Sequence, residues 1–183
     1  MNVNFSNLNF GAKYINTTQI KKYDYFEQKY FPMQVSFVEM EPANKSDREV
    51  LYDLLAEWKE CEFVAPIVDS FEYLSNEDNK VYALTLQGRD FDKLKSSEIV
   101  GLANMDITKG NIPELSFLQV DPDLLHKKES PAYKNVGTGI INSLKQIYNK
   151  AIQLVSMYSV TEFYVKNGFE IVDKKQLRYI WRV

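Results

Sequence analysis

The chain has one cysteine, Cys61, and one histidine, His126, in 183 residues. A disulfide framework is therefore excluded, and almost nothing is left from which to build a zinc site. Cys61 reads first as a small apolar residue near a helix end and only second as a nucleophile. His126 sits in the polar run D-L-L-H-K-K-E and reads as solvent-facing. Charge of one sign is also missing. Twenty-two Lys and Arg stand against 25 Asp and Glu, a net charge of −3, which argues against a chain built to coat nucleic acid. No apolar run approaches a membrane span and no signal-peptide core opens the chain, so a soluble, cytoplasmic protein with no membrane partner is expected. At this length roughly 70% of the unfolded surface can be buried, enough for a core without cross-links or metals.

What is present is a strong local pattern between Leu115 and Tyr148. Ile112 to Val120 alternates in part between apolar and polar residues and predicts a half-buried strand, which Asp121-Pro122 ends. After a loop, Lys134-x-x-Gly137-x-Gly139 leads into a helix whose apolar positions are Ile140, Ile141, Leu144, Ile147 and Tyr148. Glycines at a helix N-terminus let an anion approach backbone N–H groups that lack intrahelical partners. The P-loop pattern is not met, and the dinucleotide fingerprint fails because Asn142 stands where its third glycine belongs. Two readings remain open on spacing alone: a diphosphate cradle, or a tight strand-to-helix turn.

Elsewhere the elements can be placed by period and by caps. Residues 1–33 are rich in Asn, Tyr, Phe and Lys without a sustained period; short extended pieces such as Asn4 to Phe10 fit, and the segment reads as an N-terminal extension packed on the domain of 34–183. Gln34 to Glu41 alternates as a strand, and Ser46-Asp47-Arg48-Glu49 predicts a capping box before a helix. Val64 to Leu74 predicts a second helix, and Lys80 to Leu86 with Glu98 to Ile107 a hairpin. Further on, Ala151 to Met157 predicts a short strand, Ser159-Val160-Thr161-Glu162 a second capping box, Gly168 a left-handed helix end, and Phe169 to Val172 with Leu177 to Trp181 a terminal hairpin.

The segment Tyr133 to Ile141, preceded by Leu118-Gln119-Val120-Asp121-Pro122, resembles the acetyl-coenzyme A signature of the GCN5-related N-acetyltransferases (GNAT), [Gln/Arg]-x-x-Gly-x-[Gly/Ala] after a strand ending like L-x-V-x-P. Phe163-Tyr164-Val165-Lys166-Asn167-Gly168-Phe169-Glu170 is similar to that family's F-Y-x-K-x-G-F-E segment. Two motifs in the right order are more specific than either alone. The motifs cover the chain from about Ser97 to the C-terminus, and the element order extends the likeness to Gln34.

The resemblance implies an α/β (α+β) fold: a mixed, mostly antiparallel sheet with helices on both faces, its fourth and fifth family strands splayed at the acetyl-CoA site. It implies an acetyl-CoA-dependent N-acetyltransferase in which a primary amine attacks the thioester directly in a ternary complex. The alternative is a non-catalytic acyl-CoA-binding or protein-interaction module on the same fold. By motif position Leu118, Gln119 and Val120 would meet the pantetheine arm, and Lys134, Asn135, Val136, Gly137, Thr138 and Gly139 the pyrophosphate. Lys134 replaces the family's Gln or Arg, keeping charge but losing the planar fork. Tyr164 would be the general acid for the leaving thiolate, or pack the helix beside Phe163; Glu114 would be the base, or a solvated strand-end charge. Lys127 and Lys128 would meet the ribose phosphate, or simply be solvated. Met157 stands where many members carry an asparagine. The acceptor amine is unassigned, and a homodimer would form through the Glu41 to Asn79 region or the Gly88 to Ser96 loop.

Overall fold

The computed structural model describes residues 11–58, 63–73, 78–108, 110–125 and 130–183. Cys61, His126, Lys127, Lys128 and the expected extended piece at Asn4 to Phe10 lie outside them. The elements in chain order are β1 (Lys13–Asp24), β2 (Lys29–Glu39), α1 (Lys45–Glu57), α2 (Val64–Tyr73), β3 (Asn79–Thr85), β4 (Ile99–Asp106), β5 (Glu114–Val120), α3 (Pro122–Leu125), β6 (Tyr133–Lys134), α4 (Val136–Ile147), β7 (Ala151–Val155), α5 (Thr161–Lys166), β8 (Glu170–Asp173) and β9 (Arg178–Arg182). Two short 3₁₀ turns interrupt the β3–β4 connection and one precedes α5.

The nine strands form one sheet in the order β6-β1-β2-β3-β4-β5-β7-β9-β8. Every pairing is antiparallel except β5 with β7. Each face of the sheet carries its own apolar layer. Phe37, Tyr82, Leu84, Met105 and Leu115 pack with Ile140, Ile141 and Leu144 of α4. Val38, Val81, Ala83 and Leu102 turn to the other face, against Val50, Leu51 and Leu54 of α1 and Ile67 and Phe71 of α2. Burial on both faces explains why β3 and β4 are nearly continuous apolar runs rather than alternating ones. No helix among the described residues is long and apolar enough to cross a membrane.

Three local features differ from the sequence reading. The described part of residues 1–33 is sheet: β1 pairs with β2 from Lys13↔Glu39 to Asp24↔Lys29, with one bulge between Tyr14 and Asn16. No period shows because only Thr18 and Ile20 of β1 are buried, while the residues between and beyond them are exposed or half-buried. The cap of α1 is Asn44, whose side chain accepts from the Ser46 and Asp47 amides at 2.8 and 3.2 Å, so Ser46 is already helical. Asp47 instead turns inward, fully buried, and accepts from the Glu41 amide at 2.8 Å. No side chain caps α5, because a 3₁₀ turn over Tyr158–Val160 supplies its entry. Gly168 does take the left-handed conformation at the end of α5, at φ 78°.

Candidate functional site

The site begins where β5 and β7 part. They share one paired position, Glu114↔Gln153. It is reinforced by the Gln153 amide donating to Pro113 O at 2.9 Å and its side chain to Ile112 O at 3.3 Å. Beyond that point β5 has no strand neighbour on its β7 side among the described residues. Ser116 is an extra residue against β4, between the pairs Asn104↔Phe117 and Met105↔Leu115. Such a bulge bends and twists its strand. The Asp121 amide donates to Val100 O at 3.0 Å, which by strand alternation turns the backbone groups of Val120 and Leu118 away from β4 and into the opening. Buried Gln119 donates its side-chain amide to Val120 O at 2.7 Å, leaving Leu118 N–H and C=O and Val120 N–H facing the gap.

The gap is a cleft of about 610 Å³. Leu118, Gln119 and Val120 form one wall, and Lys134, Asn135, Val136, Gly137 and Thr138 another; Tyr164, Phe163, Val160 and Met157 close the β7 side. Phe63, Leu124, Pro131 and Tyr133 complete the lining. The structure therefore gathers eight of the nine expected coenzyme contacts and Tyr164 around one cavity. Gly139 is the exception. Its amide donates to Asn135 O at 2.8 Å as the first bond of α4, and a Cβ there would stand 3.2 Å from Ile20 and 3.3 Å from Thr18. Gly139 is a packing glycine beneath β1. Glu114 also falls outside the lining, at the closed base of the opening.

Asn135 enters α4 in the left-handed region at φ 65°, and its side chain caps no amide. Among the described residues, nothing accepts from the amides of Val136, Gly137 and Thr138. Three uncapped donors at the positive end of a helix dipole suit an anion. Gly137 is held to glycine by Phe163, whose ring edge would lie 3.0 Å from a Cβ. Lys134 adds a cation, its ammonium 4.2 Å from the centre of the Tyr30 ring. The Tyr30 hydroxyl donates to Pro131 O at 2.9 Å, so β2 anchors the cleft wall that carries Lys134.

Tyr164 packs edge-on to Phe163 and Phe169, with ring centres 5.0 and 5.8 Å apart. Burial pushes its phenol up to about 12, so it keeps its proton near neutrality. Phe63, Val160 and Phe163 were missed as cleft residues in the sequence. Phe163 stands in the F-Y-x-K-x-G-F-E segment, but Phe63 and Val160 offer only the apolar character shared with every core residue, and the turn that brings Phe63 against Phe117 at 5.8 Å is tertiary.

A splayed sheet with an uncapped helix terminus set across the opening is the architecture of the GCN5-related N-acetyltransferases, and the chain has that fold. Among solved structures it is similar to an aminoglycoside 6'-acetyltransferase type Ii, at 21% identity over 79% of this chain and 93% of that one, TM-score 0.50. It is also similar to a Lactobacillus plantarum protein provisionally described as an N-acetyltransferase, at 10% identity over 80% and 94%, TM-score 0.51. No family model matches the sequence, and no curated protein is close enough to match.

Proposed function

We propose that the protein binds acetyl-CoA in the cleft and transfers the acetyl group to a primary amine. The observation that carries this reading is the pairing of unsatisfied backbone groups on Leu118 and Val120 with three uncapped amides at Val136–Thr138 across one cavity. The first set suits the amides of a pantetheine arm, which would bond to β5 as an added strand does. The second suits the pyrophosphate, with Lys134 adding charge. The apolar lining from Phe63, Met157 and Val160 suits the aliphatic part of the arm.

In the transfer, the neutral amine attacks the thioester carbonyl to form the C–N bond, the C–S bond breaks, the sulfur leaves as thiolate, and the proton lost from the nitrogen passes to solvent water. Tyr164 is the donor proposed for the sulfur. Burial holds the phenol well above the usual range of a thiol, so the role proposed for Tyr164 is to hydrogen-bond the developing thiolate rather than to hand over its proton. A second reading, a coenzyme-binding module without turnover, is favoured by one fact: no carboxylate lines the cleft among the described residues.

Calorimetric titration with acetyl-CoA tests the site, using Thr138→Glu as the comparison. A carboxylate in the first turn favours the helix but repels the pyrophosphate. Binding by the parent, weakened at least about tenfold in a variant that melts no lower, is expected. No binding by folded parent overturns the proposal, and binding without coenzyme A thiol release across a panel of amines selects the module.

A further inference from the structure

Beside the coenzyme cleft, with which its groove shares Asn135 and Thr138, β1 leaves an edge open. The Tyr23 amide donates outward to Ala132 O at 2.9 Å, and β6 pairs with β1 at Lys21↔Lys134 and Lys22↔Tyr133. Strand alternation therefore turns the N–H and C=O of Gln19 and Thr17 outward as well. Past Lys21, β1 has no outer partner among the described residues. Asn16 to Ile20 is about 17 Å of open edge, at 3.3–3.4 Å per residue.

A polar groove of about 610 Å³ runs along that edge, lined by Thr17, Thr18 and Gln19 on the strand side. On the helix side stand Asn135, Thr138, Asn142 and Gln146, spaced three or four residues apart and so on one face of α4. Amides and hydroxyls of this kind can pair with either donors or acceptors of an incoming backbone. Among the described residues, no carboxylate lines the groove. Lys21 and Lys22 are exposed at its β6 end, and among the described residues neither is in an ion pair.

We propose that this groove docks an extended acidic peptide, which adds to β1 as a further strand in line with β6. Backbone pairing at Thr17 and Gln19 supplies the binding, and the lysines select acidic side chains. Unlike an exposed apolar edge, a short polar edge flanked by lysines resists self-pairing, so an occupant has to bring the opposite charge.

The test is fluorescence anisotropy of the full chain with a labelled peptide alternating Glu and Thr, beside the same peptide with Lys for Glu. Amide hydrogen exchange at Thr17 and Gln19 is followed in parallel. The acidic peptide is expected to bind at least about tenfold tighter than the basic one, and to slow exchange at both amides. Gln19→Pro removes one outward donor without touching the β1–β2 ladder and is expected to weaken binding, as is Lys21→Glu, which leaves the backbone intact. Equal affinity for the two peptides, no measurable binding, or amides already protected in the free protein overturns the proposal. So does binding unchanged in both variants.

Discussion

Two buried acidic protons mark the residue scale. Tyr164 sits in the cleft with a phenol that stays protonated, so the role proposed for it in transfer rests on one hydroxyl. Tyr164→Phe keeps the ring packing against Phe163 and Phe169 and removes that donor. Turnover is expected to fall by about 10²-fold with acetyl-CoA affinity within about twofold, read by steady-state kinetics and calorimetry side by side. Loss of affinity as large as the loss of rate would make Tyr164 a structural residue. Asp47 poses the opposite case. Burial raises its carboxyl from 3.8 to about 6, against the pull of the Glu41 and Ala12 amides, and its Oδ1 has no hydrogen-bond partner among the described residues. Between those values the folded chain holds the proton and the unfolded chain does not, so Asp47's contribution to stability falls as pH rises from about 4 to about 6. Asp47→Asn removes that slope. Its stability relative to the parent is expected to rise by about 1–3 kcal/mol across the window and to be level above it, measured by urea unfolding at stepped pH.

At the scale of elements, the β1–β2 hairpin governs the cleft without lining most of it. Its side chains reach beneath α4 at Ile20 and Thr18, and its Tyr30 secures the wall at Pro131. Gly139→Leu drives a large side chain into Ile20 and Thr18 and is expected to destabilise the fold by about 1–3 kcal/mol, while the folded fraction keeps its acetyl-CoA affinity. Thermal melts and calorimetry separate the two, and a selective loss of affinity would return Gly139 to the coenzyme site. This glycine shows where sequence reading stops. Spacing placed both glycines at a helix start, and β2 to β5 and β7 to β9 are largely legible because central strands and α4 carry strong apolar periods, whereas the two-residue β6 is too short to show one. Gly137 and Gly139 look equivalent in the motif, yet they face Phe163 and Ile20 respectively, which depends on a hairpin whose polar edge strand has no period to read. Likewise Ser46 fits a capping box, but Asn44 wins the cap because Asp47 is needed inside at the Glu41 amide.

On the scale of the whole molecule, the sheet is two slabs meeting at a narrow seam. Six strands lie on the β5 side and three on the β7 side, joined in the sheet at Glu114↔Gln153 and bridged above by α4. The outward-facing backbone groups of Leu118 and the Val120 amide thus end at a void, with no neighbouring strand among the described residues. A molecule lodged there would span both slabs and complete the row of hydrogen bonds that the chain leaves unfinished. In mechanical terms, a bound coenzyme would turn two plates joined at a seam into a laminate. Resistance to pulling β8 and β9 away from the rest then depends on what fills the seam as well as on the polypeptide itself.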